Sequence, residues 1–175
     1  MADLNLGTYS PEDVTIVITV PNYTPHIVTG VAAGTFVKIT RAIESSKLYQ
    51  GADKSGGRVF HSNNAGMIEL TLSQLSSTND YLTQIYDNDS ASRDSTWLFD
   101  VLIKDNTGRS YYDASQCFLA QIPESDFGDD VSNRTWNLHS VNLKQHIGGN
   151  AKIDPATVQA ITAIGGDIDP KWISN

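Results

Sequence analysis

Trp97-Leu98-Phe99-Asp100-Val101-Leu102-Ile103-Lys104-Asp105-Asn106-Thr107-Gly108-Arg109 reads as a strand, a turn and the start of a returning strand. Trp97, Phe99, Val101 and Ile103 recur at every second position, opposed by Asp100 and Lys104, the period of a half-buried strand. Asn and Gly tolerate the positive φ that tight turns require, so Asp105–Gly108 closes a hairpin. Outward from this hairpin the same period returns. Val14, Ile16, Ile18 and Val20 alternate with Thr15 and Thr19 until Pro21 ends the run, and Ile68, Leu70 and Leu72 alternate with Met67, Glu69 and Thr71. Residues 35–43, 117–122 and 135–143 add further strands.

One helix interrupts the strands. Ser77-Thr78-Asn79-Asp80 has capping-box spacing, and Tyr81, Leu82, Ile85 and Tyr86 form an apolar stripe of about two turns. A single short helix among six or seven strands predicts an antiparallel sandwich or barrel with the helix packed on its side. Residues 1–150 are expected to form this β domain and 151–175 a C-terminal extension. In the extension, Asp154-Pro155 starts a short helix that Gly165-Gly166 ends.

Composition narrows the function. Twelve Lys and Arg against 20 Asp and Glu give 12 − 20 = −8, a poor basis for gripping nucleic acid by counterion release. A single cysteine, Cys117, excludes an intrachain disulfide framework, and its apolar neighbours Phe118 and Leu119 make it a buried hydrophobe. Residues 1–6 lack a basic and an apolar region, so no secretory leader is expected, and no apolar run reaches the roughly 18 residues of a membrane span.

Chemistry-bearing motifs are not found: no nucleophile elbow, phosphate loop, zincin helix or paired-cysteine site. Catalytic, cofactor-binding and metal-binding residues are therefore expected to be none. Asp87-Asn88-Asp89 resembles a calcium loop only in part, since Ser92 and Leu98 replace its Gly and Glu, and a polar loop ending the helix is the reading adopted. Glu124, Asp126, Asp129 and Asp130 read as a solvated turn, and His139 as an ordinary strand residue.

Charge is unevenly spread. From Lys38 to Arg58, five bases face Glu44 and Asp53, a net of 5 − 2 = +3. From Asp80 to Asp130, eleven acids face Arg93, Lys104 and Arg109, a net of 3 − 11 = −8. A basic segment and an acidic body are self-complementary between copies, and head-to-tail contacts close into rings when the rotation permits; an ordinary solvated loop on an acidic monomer fits the same charges equally well. The basic segment lies in residues 44–66, rich in Ser, Gly, Asn and Lys. It is too long for a tight hairpin turn, so it is expected to be a polar loop with little apolar surface that orders on assembly.

Several stretches together resemble the tail tube proteins of contractile-tailed bacteriophages. They are Tyr9-Ser10-Pro11-Glu12-Asp13-Val14, Gly34–Arg41, Gly51-Ala52-Asp53 with Arg58, and Ser62-Asn63-Asn64-Ala65-Gly66. Ser77–Leu82, Asp105-Asn106-Thr107-Gly108, Trp136 and Gly148-Gly149-Asn150 continue the pattern, which runs from Tyr9 to Asn150. Lys54-Ser55-Gly56-Gly57, the longer Pro21–Val31 connection and the residues after Asn150 depart from it.

The resemblance implies a β-sandwich or barrel-like subunit, with a flanking helix, that forms sixfold rings. The rings stack into a hollow tube inside a contractile sheath, with baseplate or initiator and terminator proteins at its ends, and DNA passes through the bore. It implies a virion tail location after assembly in the host cytoplasm, and no enzyme activity. Lys47, Gly51, Asp53, Lys54 and Arg58 then become inter-subunit residues, and Glu69 and Asp100 become candidate acids of the bore. Six copies carry 6 × −8 = −48 per ring, repelling phosphates where the charge faces the lumen. Two alternatives remain: a tube protein of a related injection or secretion system, and a virion carbohydrate-binding or hydrolytic β-sandwich.

Overall fold

In the computed structural model of the chain, residues 6–174 are described. Met1–Asn5, on which most of the expected absence of a leader depends, lie outside the described residues. The elements in order are β1 (Val14–Thr19), β2 (His26–Ile27), β3 (Val37–Arg41), β4 (Ser46–Gln50), β5 (Gly56–Phe60), β6 (Gly66–Ser73), α1 (Thr78–Ser92), β7 (Phe99–Asp105), β8 (Tyr111–Leu119), β9 (Asn133–His146) and α2 (Pro155–Ala163).

Seven strands form one antiparallel sheet in the order β2-β1-β7-β8-β9-β6-β3, and β4-β5 form a separate two-stranded ladder. The sheet curls into a half-barrel, because Val37 and Ile39 of edge strand β3 share a cavity with Val14 of β1 and Ile103 of β7. Alternation in the sequence becomes alternation in burial: Ile16 and Ile18, Ile68, Leu70 and Leu72, Phe99, Val101 and Ile103 all point into the core. Thus the expected mainly β, antiparallel barrel-like fold with a flanking helix is what the chain adopts.

The connection after Pro21 links the two edges of the sheet. Val28 N–H donates to the Ile16 carbonyl (2.9 Å), Ala32 N–H to Thr71 (3.0 Å), and Ser73 N–H to the Gly30 carbonyl (2.9 Å). Gly30 sits at φ +68, and a Cβ there would lie 2.7 Å from the Ser76 Cβ, so this crossing needs glycine. Helix α1 lies over the core on Leu82 and Ile85. Trp136 Nε1 donates to Asn79 Oδ1 (2.9 Å), and His26 meets Thr78 Oγ1 at 3.0 Å while stacking on Tyr81.

Several local expectations are corrected. Helix α1 runs 15 residues, so Asp87-Asn88-Asp89 is helix rather than a terminating loop, and Arg93 ends it at φ 52. Asp and Asn cost only tenths of a kcal/mol each in a helix, less than the buried stripe and the Gln84–Asn88 hydrogen bond recover. The capping box is not made, since Ser77 is already helical and the Thr78 N–H donates to Ser76 Oγ instead. Trp97 precedes its strand and stacks on Tyr23. The returning strand and the separately expected 117–122 strand are one, β8, with a bulge: Gln116 takes φ 54 and donates its N–H to Asp100 Oδ1 (3.0 Å).

The Asp105–Gly108 turn and Gly148-Gly149-Asn150 are brought together. Asn150 Nδ2 donates to Asp105 Oδ2 (2.6 Å) and Thr107 Oγ1 (3.1 Å), and the Thr107 N–H and hydroxyl donate to Asp105 Oδ1. Burial raises the Asp105 carboxyl, but the Thr107 and Asn150 hydrogen bonds outweigh it and hold it below its ordinary 3.8. A depressed folded-state pKa means this contact contributes fully above about pH 4 and is lost as pH falls through the lower folded value. Asn150→Ala is expected to cost about 1–3 kcal/mol at pH 7. Urea unfolding should show its difference from the parent chain shrinking as pH falls below 3.8.

Beyond the clasp, Arg109 Nη1 donates to the Ala151 carbonyl (2.7 Å) and its guanidinium lies 4.9 Å over the Trp172 ring. Asp154 caps α2 by accepting from the Ala156 and Thr157 N–H groups. Ile153 and Ile173 pair in a parallel bridge that closes the C-terminal segment on itself.

Candidate assembly interface

The residues from 44 to 66 are not an irregular loop. Ala42 N–H donates to Ala65 (3.0 Å) and His61 N–H to Ser45 (2.9 Å), and five Cα pairs from Ser46–Phe60 to Gln50–Gly56 follow. This ribbon prolongs the β3–β6 ladder past the end of the sheet. Each strand of β4–β5 adds five residues, about 17 Å of reach at 3.3–3.4 Å per residue. At its root Arg41 donates to Asn64 Oδ1 (3.0 Å) and the Leu143 carbonyl (3.4 Å).

The tip explains Gly51, Asp53 and Lys54. Gly51 N–H donates to the Ser55 carbonyl (2.8 Å), Asp53 Oδ1 accepts from Ser55 N–H (3.0 Å) and Oγ (2.6 Å), and Lys54 takes φ 66. The Ser55 hydrogen bonds hold the Asp53 carboxyl below its ordinary value. Lys47 projects from β4 opposite Val59, and the Arg58 guanidinium lies 4.0 Å over the Phe60 ring. The five candidate residues therefore belong to one exposed ribbon.

The expectation of little apolar surface is overturned. Leu48 is 76% exposed, Phe60 67%, Tyr49 60% and Val59 48%. Cross-strand partners share a face, so Leu48, Arg58 and Phe60 lie on one face and Lys47, Tyr49 and Val59 on the other. A lone two-stranded hairpin is marginal in water, and these apolar side chains have no packing partner in their own subunit's core. Averaged over residues 44–66, composition hides them among Ser, Gly, Asn and Lys. The usable signal was two short β-prone runs, 46–50 and 56–60, flanking a Gly-Asp turn.

Glu69 and Asp100 lie on the side of the sheet opposite the core. Glu69 is half-buried and 3.5 Å from Lys38, its register partner on β3. Asp100 is spent in part on the β8 bulge. The two acids are not adjacent, and a base stands beside only one of them: Lys38 is opposite Glu69, whereas Lys104 lies four positions along β7 from Asp100. Among the described residues the edge strand β3 pairs with β6 alone, and its other side is open.

The remaining candidates are structural where they stand. Cys117 is buried, and desolvation pushes its thiol up to about 12, so it stays protonated and inert. His139 stacks on Phe118 and His146 on Tyr111. Among the described residues no group of three His, Cys, Asp or Glu side chains converges to hold a metal, and no helix is long and apolar enough to cross a membrane.

With this geometry in view, the comparisons decide the family. The sequence profile of the bacteriophage PhiTE tail tube protein family matches residues 6–148. The chain belongs to this tail tube family. The tail tube protein is thereby a structural component of the virion tail. It is 35% identical over 168 residues to "Structural protein ORF10" of Pseudomonas phage KPP10, covering 95% of this chain and 97% of that one. Its fold is similar to a chain in the anti-feeding prophage cap (tube terminating cap), with a TM-score of 0.53 at 11% identity over 83% of this chain and 99% of that one. A chain in the anti-feeding prophage baseplate gives 0.54 at 11% identity over 78% and 93%. The family match includes the β4–β5 ribbon and stops at Gly148, inside the clasp of the tail tube protein.

Proposed function

We propose that this tail tube protein forms hexameric rings that stack into a hollow conduit for DNA ejection. The observation that carries the reading is the β4–β5 ribbon, which extends apolar and basic side chains beyond the sheet, where the described residues of its own chain leave them exposed. Lys47, Gly51, Asp53, Lys54 and Arg58 serve the contact between copies. The open side of β3 offers a second contact, since pairing with a neighbouring strand satisfies its backbone groups and removes an aggregation hazard.

The tube engages a sheath along its length and baseplate or initiator and terminator proteins at its ends. Its work is mechanical, without catalysis, cofactor or metal. Residues 1–150 build the tube wall and 151–175 form an appendage, held through Arg109 and the Asn150 clasp. DNA slides through without adhering. Glu69 and Asp100 belong to a polar wall in which Lys38 offsets Glu69, so low adhesion comes from charge balance there as well as from the −8 of the whole subunit. A tube of a related injection system would use the same subunit contacts.

Sedimentation across a wide concentration range, with electron microscopy of the products, tests the reading. Rings or tubes formed without nucleotide, metal or cofactor are expected. A strict monomer at high concentration, even with the phage's initiator proteins added, overturns it. Tight duplex binding by the assembled tube, with log affinity falling by about 0.9 per phosphate against log salt, overturns the non-adhesive bore.

A further inference from the structure

An aromatic cleft of about 380 Å³ lies between α1 and the chain that leaves β1, lined by Val20, Tyr23, Tyr81, Ile85, Asn88 and Trp97. Tyr23, 57% exposed, stacks on Trp97 with ring centroids 5.5 Å apart at its wall. The helix bordering it carries Asp80, Asp87 and Asp89 and no base, a net of −3. The β4–β5 ribbon has the opposite character, with Lys47, Lys54 and Arg58 against Asp53, a net of 3 − 1 = +2, and exposed Leu48 and Phe60.

Register shows where the two features lie. Gly66 is level with Ser140, Cys117 and Phe99 across the sheet. Asn64 accepts from the Leu143 N–H, and Leu143 is level with Ala114 and Val101. The ribbon therefore leaves the sheet in the direction from Phe99 to Val101 and onward to Asp105. The cleft lies the other way, at Trp97 before β7 and Val20 after β1. A subunit's ribbon points away from its own cleft.

We propose that the Leu48–Arg58–Phe60 face of one copy's ribbon seats in the α1 cleft of a second copy. Leu48 and Phe60 cover Tyr23, Tyr81 and Trp97, and Arg58 and Lys54 face the acids of α1. The apolar contact supplies the driving force, and the opposite charges select the orientation of the approach. Because ribbon and cleft are different surfaces at opposite ends of the subunit, the contact is head-to-tail and repeats without saturating itself. This inference rests on self-assembly as proposed above and names its docking site.

Disulfide mapping tests it. A Leu48→Cys chain is mixed with a Gln84→Cys or Asn88→Cys chain, or with a Thr71→Cys control on the far side of the sheet, and oxidised after assembly. Leu48 and Gln84 are exposed, so these variants keep the core, and the native Cys117 is buried. Cross-linking to position 84 or 88 at least about tenfold above position 71 is expected. Polymers seen by microscopy with no excess over the control overturn the docking site and leave the tube reading standing. Absence of any polymer from the unsubstituted chain overturns both.

Discussion

Lys54→Glu with Arg58→Glu is expected to abolish polymerisation near neutral pH while leaving the subunit folded. The pair turns the ribbon's net from 3 − 1 = +2 to 1 − 3 = −2, so it then repels the acidic body of the next copy. Both side chains are exposed and outside the core cluster, and the loss on folding is limited to the Arg58–Phe60 stacking, about 0.5–1 kcal/mol. Assembly of the parent chain should also slow as salt rises, because exposed charges are screened beyond about 10 Å at 0.1 M. Sedimentation and urea unfolding on the same samples separate the effects. A variant that assembles like the parent, or one that fails because it unfolds, contradicts the assignment of these residues to subunit contact.

Trp136→Ala is expected to have the largest effect on stability, about 3–5 kcal/mol. Trp136 is 2% exposed on β9, opposite Leu70, and its ring fills the space under α1. Removal leaves a cavity and also strips Asn79 Oδ1 of its donor at the start of the helix. Since a domain of this size is stable by only about 5–15 kcal/mol, the variant sits near the threshold of folding. Urea unfolding should show the loss, with Trp136→Phe recovering most of the packing but not the hydrogen bond. A shift below about 1 kcal/mol in Trp136→Ala would mean that α1 is not held by this contact.

The strands of the core were legible because period two survives folding unchanged. Ile16, Ile18, Ile68, Leu70, Leu72, Phe99, Val101 and Ile103 alternate in the chain and alternate in burial, since successive strand side chains must point to opposite faces. The Asp105–Gly108 hairpin and the Asp154–Pro155 helix start were equally local: turn and cap chemistry are set by residues within a few positions of each other. The asymmetry of charge between residues 38–58 and 80–130 is likewise a property of the chain itself.

Contacts between distant segments had no such local signal. That Asn150 closes on Asp105 and Thr107, that the chain after Pro21 spans both sheet edges, and that Lys38 neutralises Glu69 all depend on residues brought together by register. The extension of α1 through Asp87-Asn88-Asp89 was decided by Leu82 and Ile85 packing on the core, against weak local preference. The ribbon shows the division most clearly. Its sequence determined a basic, turn-rich segment, but only the continuation of the β3–β6 ladder made it a projecting ribbon, and only its direction placed Leu48 and Phe60 out of reach of their own subunit's cleft. Direction is a property of the whole sheet, because every strand between Gly66 and Phe99 contributes to it.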